Sequence, residues 1–301
     1  MQNRILLLSL LLSVSHSFVK AQDLSSTYSQ YVEIKTFMNR AKNNEPYGIL
    51  KMSRRDSIIK VKYFVGRSYN GTSVFELYDS WRHNKAIIAV TSGTYMDHCD
   101  IAISRPVGLC MEDGRIINKS LEPNMDGLII VYATGGIATA NLREGVNIRE
   151  DNGNFKTLDI RDPIKRAEFI SWAQQKQATI FQTHLFVYRD NLIIDSITAN
   201  RRNNQTAPRR FLAVCREEDG TITYYVINLP TASTIYDGVV KTKEYLKNVE
   251  NVNQIVFLIN LDTGCQNLYQ ANDPSGNEIN NKFFRGDVKV HDAINLLAFY
   301  F

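Results

Sequence analysis

The sequence predicts an α+β fold, a single domain in which a few helices pack on a mostly antiparallel or mixed β-sheet. Short apolar or alternating runs greatly outnumber helical patterns. Most of these runs occur in pairs around tight turns, and no proline- or glycine-rich linker divides the 301 residues. At 44% hydrophobic and 22% charged residues, the chain has the composition of a globular protein that can bury a sizeable core.

The first 45 residues are expected to lie outside this domain. Residues 1–21 combine a charged start, an apolar run and the small Ala21 before Gln22, which is the pattern of a secretory signal peptide. The apolar run is too short to cross a bilayer, which takes roughly 20 residues. We therefore expect an exported protein, periplasmic or extracellular in a Gram-negative envelope and without a membrane span. Residues 22–45 would form a polar segment and residues 46–301 the domain.

Strands are predicted mainly as hairpins. An Asp-Gly turn at Asp113 and Gly114 joins the runs 107–111 and 115–118, and such a turn between apolar runs is a strong hairpin signal. A second hairpin is expected around Gly135-Gly136. The remaining strands are predicted at 47–52, 58–65, 86–90, 179–188, 210–215, 223–229 and 255–261.

Helices are predicted from the residues at their starts. Ser73, with Glu76 three residues later, forms a capping box for a helix over 73–83. Pro163 fits the first turn of a helix that extends to about residue 177. A third helix is expected over 234–248.

Charge and cysteine content exclude several classes of function. A net charge of +4 is too small and too dispersed to indicate a nucleic-acid partner. The four cysteines Cys99, Cys110, Cys215 and Cys265 allow two disulfides in three pairings, although apolar surroundings favour buried free thiols at Cys110 and Cys215. No CxxC pair occurs, which argues against a zinc site. We predict no metal site and no cofactor, and calcium held by loop oxygens is an alternative that the sequence leaves open but does not support.

Two units of helix, buried strand and turn occur along the chain. The first ends in the turn Thr91-Ser92-Gly93-Thr94-Tyr95-Met96-Asp97, and the second ends in Asn260-Leu261-Asp262-Thr263-Gly264. These turns resemble the Asn-Gly-Gly-Phe-Phe-Asp and Asn-Leu-Asp-Gly-Gly-Gly turns of the phosphodiester glycosidase family. The segments 105–118, 210–214 and 288–294 are similar to further family motifs, in the same order, over about residues 60–300.

The resemblance implies a hydrolase that cleaves the bond between the anomeric carbon of a sugar and a phosphate oxygen. Its partner would be a sugar-phosphate or another glycan. By their positions in the matching turns, Asp262 and Asp97 are the expected catalytic residues, and we add His184 as a third. Those carried over as substrate-binding are Arg210, Gly93, Tyr95, Gly264 and Thr263.

Each charged candidate also has a structural interpretation. Asp262 ends a strand on a tight turn, where an aspartate can act in catalysis or cap the turn. The guanidinium of Arg210 could hold a phosphate in two contacts or form an internal ion pair. His184 would share one strand face with Gln182, either as an acid–base group or as a hydrogen-bonded core residue.

A second hypothesis is a catalytically silent module that binds glycans or the cell envelope. Thr91, Ser92 and Thr263 stand where the family turns have other residues, two of them glycines, and this favours the silent module. The retained Asp262, Gly264 and Arg210 favour the enzyme. The enzyme hypothesis predicts that Gly93, Asp97, Arg210 and Asp262 converge on one site.

Overall fold

A computed structural model describes residues 25–42, 44–66, 72–100, 103–193 and 205–301. The fold is α+β and a single domain, as the sequence predicts. The predicted signal peptide, residues 1–21, lies outside the described residues. Within the part of the chain that is described, no helix is both long and apolar enough to cross a membrane.

The helices begin at the residues that the sequence indicates. They are α1 (Val74–Arg82), α2 (Pro163–Gln175) and α3 (Ile235–Asn248), and residues 25–31 are also helical. Ser73 and Glu76 form the predicted capping box. The side chains of Asp162 and Thr234 cap α2 and α3 by accepting hydrogen bonds from first-turn backbone N–H groups.

The strands occur mainly as antiparallel hairpins. In chain order they are β1 (Val32–Asn39), β2 (Glu45–Ser53), β3 (Lys60–Val65), β4 (Ile87–Thr91), β5 (Cys110–Glu112), β6 (Arg115–Asn118), β7 (Gly127–Val131), β8 (Ile137–Asn141) and β9 (Val146–Arg149). They continue as β10 (Phe155–Leu158), β11 (Thr179–Thr183), β12 (Leu185–Tyr188), β13 (Asn191–Leu192), β14 (Ala207–Arg216), β15 (Ile222–Ser233), β16 (Gln254–Leu261), β17 (Tyr269–Ala271) and β18 (Asn295–Tyr300). The Asp113-Gly114 turn has both central φ angles positive, 48° and 78°, as a two-residue hairpin turn requires.

These strands, all within the described residues, form four sheets. The largest has the order β1-β2-β15-β14-β16-β12-β13, the next β6-β5-β11-β7-β8, the third β17-β4-β18-β3, and the smallest is the β9–β10 ribbon. Every pairing between these strands is antiparallel. Because β14 pairs with β16 and β16 pairs with β12, and these strands are far apart in sequence, the site described below is assembled from distant segments.

A central core joins the three larger sheets, and each of α1, α2 and α3 covers the outer face of one of them. Side chains such as Leu212, Phe181 and Phe299 bring the three sheets together in that core. Helix α3 packs on the seven-stranded sheet, α2 on the five-stranded sheet and α1 on the four-stranded sheet. Each fully buried aromatic or branched aliphatic side chain contributes about 1.5–3 kcal/mol to folding.

Three features differ from the sequence expectations. The segment 22–45, expected to lie apart, supplies β1, which pairs with β2 along its whole length. The β9–β10 hairpin was not predicted. The single strand expected over 179–188 is wrong, because the chain passes at His184 from the five-stranded sheet to the seven-stranded sheet.

The cysteines divide into one disulfide and two buried thiols. Cys110 and Cys215 are buried and free, which confirms the prediction for these two. Cys99 and Cys265 form a disulfide that links positions 166 residues apart. It connects the turn after β4 to the turn after β16, the same two turns that carry the family resemblance.

Candidate functional site

The two resembling turns are neighbours in space. The Ser92 hydroxyl donates a hydrogen bond to the carbonyl oxygen of Asp262, and the Asp262 N–H donates to the carbonyl of Gly93 at 3.4 Å. The Cys99–Cys265 disulfide joins the same turns a few residues further on. The ends of β4 and β16, which belong to different sheets, are therefore fixed against each other.

The sheet-switching segment of β11 and β12 completes the site. The Thr94 hydroxyl donates to the carbonyl of Gln182 at 2.7 Å, and the Thr183 hydroxyl donates to the carbonyl of Asn260 at 3.1 Å. His184 follows directly, between the two strands. The three larger sheets thus meet at one place, and its polar side chains come from all three.

Asp262 is a buried carboxylate at the end of β16. Its Oδ1 accepts a hydrogen bond from the Gly264 N–H at 2.9 Å. Burial raises the pKa of Asp262, although hydrogen bonds from the backbone N–H groups of Gly264 and Met96 and the nearby charge of Arg210 act in the opposite direction. A carboxyl group in such surroundings exchanges protons closer to neutral pH than an ordinary aspartate does.

Arg210 lies beneath the site and is fully buried. Its Nη1 donates to the carbonyl of Leu268 and its Nη2 to Oδ1 of Asn267, both at 2.8 Å. The guanidinium also lies over the ring of Tyr269, 4.4 Å from its centroid. Burial lowers the pKa of Arg210 to about 10, so the group stays cationic at neutral pH. Arg210 therefore fixes the 267–269 segment and supplies a positive charge from below.

Tyr95 and Asn260 form a polar pair beside Asp262. The Asn260 amide donates to the Tyr95 hydroxyl and, at 2.9 Å, to the carbonyl of Leu261. Burial, and secondly the charge of Asp262, raise the pKa of the Tyr95 phenol, which therefore keeps its proton. Asn260 is buried, and its Oδ1 has no hydrogen-bond partner among the described residues.

His184 is neutral at physiological pH. Burial lowers its pKa to about 4, against the raising effects of a hydrogen bond to the backbone of Asn124 and of nearby carboxylates. The imidazole packs edge-on to the Tyr95 ring at 5.3 Å between centroids and stacks on Phe186 at 5.8 Å. It supports the position of Tyr95 and is a weak base, since its pKa is low.

The remaining substrate-binding candidates shape the turns. A side chain at Gly93 would place its Cβ 2.5 Å from the Tyr63 ring, so only glycine fits this close approach. The Gly93 N–H donates to Oδ1 of Asn295 at 2.6 Å. The Thr263 hydroxyl donates to the carbonyl of Pro208 at 2.9 Å, which attaches the second turn to the start of β14.

Asp97 does not join this group. Its side chain is exposed, and its Oδ1 accepts a hydrogen bond from the backbone N–H of Arg105 at 2.7 Å. The Asp97 N–H donates back to the carbonyl of Arg105. The expected convergence thus holds for Gly93, Arg210 and Asp262, whereas Asp97 closes a local turn.

Sequence reasoning missed two residues of the site. Asn260 lies within the quoted second turn motif, and its position between Ile259 and Leu261 places it on the opposite strand face from those apolar side chains. Arg209 precedes the strand predicted over 210–215, but it lies on β14 and is half-buried. Burial lowers the pKa of Arg209, and its interaction with Tyr95 acts in the opposite direction. A strand predicted to begin at Ala207, where β14 begins, would have included Arg209.

Two polar grooves lie elsewhere on the protein. They have volumes of about 370 and 380 Å³ and share Tyr78, Arg82 and Gln270 in their walls. The buried carboxylate above a buried arginine gives the Asp262 region the stronger chemistry. Among the described residues, no cluster of His, Cys, Asp or Glu side chains has the arrangement to hold a metal ion.

Comparisons with known proteins give remote structural similarities. No family model and no curated protein sequence matches this chain. The catalytic domain of zebrafish N-acetylglucosamine-1-phosphodiester alpha-N-acetylglucosaminidase, in a form auto-inhibited by its pro-peptide, aligns at a TM-score of 0.48 and 14% identity, over 89% of this chain and 81% of that one. A hypothetical protein from Synechocystis aligns at a TM-score of 0.48 and 10% identity, over 90% of this chain and 62% of its own. A Burkholderia pseudomallei protein aligns at a TM-score of 0.43 and 10% identity, over 85% and 74%. At these TM-scores the similarities carry no argument about activity.

Proposed function

We propose that this protein is an exported hydrolase that cleaves a sugar-phosphodiester, or a related glycan bond, between the anomeric carbon and the leaving oxygen. The observation that carries the proposal is the contact between the two resembling turns, with the buried Asp262 carboxylate at that contact. The turns lie about 170 residues apart in the chain. Their sequence motifs alone do not bring them together, so their contact in space is separate support for the proposal.

Asp262 acts in this proposal as the group that handles the proton of the attacking water. The water oxygen bonds to the anomeric carbon, the bond from that carbon to the phosphate oxygen breaks, and Asp262 accepts the water proton. The phosphate group leaves with the bonding electrons. Because the second pKa of a phosphate monoester is near 6, it leaves without a strong general acid. A carboxyl group with a raised pKa is a better base for this step than an ordinary aspartate.

Positive charge for the departing phosphate comes from the two neighbouring arginines of β14. Arg210 is buried, so it acts through its charge rather than by direct contact. Arg209 is half-buried, and its Nε and Nη2 donate to the carbonyls of Ser233 at 3.0 Å and Gln205 at 2.8 Å; we assign the direct contact with phosphate to its remaining N–H groups. The Tyr95 phenol keeps its proton and can donate a hydrogen bond to a sugar or phosphate oxygen.

The test is hydrolysis of a panel of sugar-1-phosphodiesters by the mature protein. We expect turnover by the wild type and a loss of about 100-fold or more in kcat for Asp262→Asn, since a general base contributes 10²–10⁴-fold. The matched control is Asp219→Asn. Asp219 is an exposed aspartate in the β14–β15 turn that pairs with Arg55, and its variant should keep full activity. Equal activity of both variants would remove Asp262 from the mechanism.

A silent glycan-binding module remains the second candidate, and a specific observation favours it. Asp262 is buried and accepts hydrogen bonds from the backbone of its own turn and of the neighbouring turn, which is also what a purely structural cap does. The same panel separates the two functions. A silent module binds panel members without turnover, and its affinity is the same for the wild type and for Asp262→Asn.

A further inference from the structure

A second concave region lies at the far end of the five-stranded sheet. The turns after β7 and β9, together with the end of α2, enclose a cavity of about 510 Å³. Strands β7 and β11 pair from Val131 and Thr179 at this end to Gly127 and Thr183 beside the candidate site. Five residues in register separate the two regions by at least roughly 14 Å along the strands. The cavity is therefore distinct from the Asp262 site.

Two aromatic side chains form its apolar walls. Tyr132 is 43% exposed, which is high for a large aromatic residue. Trp172 is held in place from two sides, because its Nε1–H donates to the carbonyl of Arg149 at 3.0 Å and its ring stacks on Phe169 at 5.7 Å between centroids. A fixed indole and an exposed phenol give a rigid, preformed surface for a flat apolar face.

Charged side chains of both signs complete the lining. Arg149 and Lys176 are basic, whereas Glu150 and Asp151 are acidic, so the four formal charges cancel. Lys176 forms an ion pair with Asp151 at 2.7 Å. Because the charges of the lining cancel, a charged ligand gains no net attraction. A wholly apolar ligand would displace water from the charged groups without replacing the hydrogen bonds that the water made. The lining suits a neutral ligand with one apolar face and many hydroxyl groups.

We propose that this cavity binds a neutral sugar of a glycan chain. The apolar C–H face of the ring packs on Tyr132 and Trp172, and its hydroxyl groups bond to the charged side chains at the rim. The volume accommodates about two sugar rings, within the range of small-ligand sites. The site goes beyond the proposed hydrolase activity and does not depend on it, because no residue is shared between the two regions.

The test is calorimetric titration of the mature protein with trisaccharides of glucose, mannose, galactose and N-acetylglucosamine. We expect at least one of them to bind, and Tyr132→Ala to weaken that binding about tenfold or more, because a whole aromatic wall is removed. The control is Phe155→Ala on the adjacent ribbon, where the side chain is 77% exposed and lies outside the cavity lining. This variant should bind within about twofold of the wild type.

A spectroscopic measurement guards against misfolded variants. The chain contains two tryptophans, so bound sugar should change the emission of the wild type. Trp172→Phe should lose most of that change and still melt cooperatively, at a temperature slightly lowered by the loss of the hydrogen bond to the Arg149 carbonyl. Three results would overturn the proposal. The first is no binding of any trisaccharide, and the second is equal binding by the wild type and Tyr132→Ala. The third is that the cavity binds the fatty-acid anion decanoate, in a way that depends on Tyr132, but binds none of the sugars.

Discussion

At the scale of single residues, the surroundings of Asp262 oppose its negative charge. Burial raises its pKa above the usual 3.8, and the hydrogen bonds from Gly264 and Met96 offset only part of that effect. The buried Arg210 and the neutral His184 show the same dominance of burial, since both have lowered pKa values. The sequence indicates which residue types belong to the site. Their protonation states depend on burial, and burial depends on how the three sheets pack, which the sequence does not show.

Asp262→Asn should therefore stabilise the protein at neutral pH while it removes activity. An acid whose pKa is raised on folding contributes stability below its unfolded pKa, and that contribution is lost as pH rises through the folded pKa. The asparagine keeps an oxygen for the Gly264 N–H and carries no charge to desolvate. Thermal melts from pH 4 to pH 8 should show a higher Tm for the variant at pH 7 and a difference that shrinks towards pH 4. A variant less stable than the wild type at pH 7 would show that the attraction to Arg210 exceeds the cost of burial.

At the scale of elements, local signals predicted helix starts and hairpins correctly. Ser73 with Glu76, Asp162 with Pro163, and the Asp113-Gly114 turn all act within a few residues, so the sequence alone determines them. The prediction of a single strand over 179–188 was wrong because alternation indicates that a segment is a strand but does not indicate the sheet in which it pairs. The β9–β10 hairpin carried a usable signal in its alternating strand and its Gly153 turn.

Glu250, just after α3, connects several elements of the seven-stranded sheet. Its carboxylate bonds to Lys35 of β1 at 2.7 Å, to Lys51 of β2 at 3.0 Å and to the hydroxyl groups of Tyr225 and Tyr245. Burial opposes this charge, yet the hydrogen bonds from Lys35, Tyr245 and Lys51 prevail and lower the pKa of Glu250 to about 2. The carboxylate thus fastens β1, β2 and β15 to the end of α3.

Glu250→Gln should destabilise the protein at neutral pH. A lowered folded pKa contributes stability above the unfolded value of 4.5, and this stability is lost as pH falls towards 2. The Glu250 side chain is only 4% exposed, but its partners Lys35 and Lys51 are 35% and 27% exposed, so solvent screening reduces the full effect and we expect a loss of about 1–2 kcal/mol at pH 7. Urea unfolding at pH 7 and pH 3 measures the loss and its decline. Glu244→Gln, exposed on the same helix, is the control and should unfold like the wild type at both pH values.

At the scale of the whole molecule, the site exists only because distant segments converge. The sequence predicted that Gly93, Arg210 and Asp262 would meet, since the order of the motifs implied one fold. It could not show that Asp97 turns outward or that Cys99 pairs with Cys265, because both depend on how two sheets are docked. Cysteine counting alone left three pairings open.

Removal of the Cys99–Cys265 disulfide should weaken both stability and activity. The bond closes a loop of 166 residues and holds the Asp262 turn against the turn after β4. The double variant Cys99→Ser/Cys265→Ser should lose about 2–5 kcal/mol of unfolding free energy, as is usual for a native disulfide. Melting with and without dithiothreitol is the measurement, and only the wild type should respond to the reductant. A wild type that melts equally under both conditions would refute this role.

The central claim is that water attacks the anomeric carbon of a sugar-phosphodiester at the Asp262 site. The most direct measurement is hydrolysis in ¹⁸O-labelled water, followed by mass spectrometry of both products. We predict that the label enters the hydroxyl group of the released sugar, because the bond from carbon to oxygen is the one that breaks, and that Asp262→Asn releases almost none. Label in the phosphate would contradict the account, since it would show attack at phosphorus.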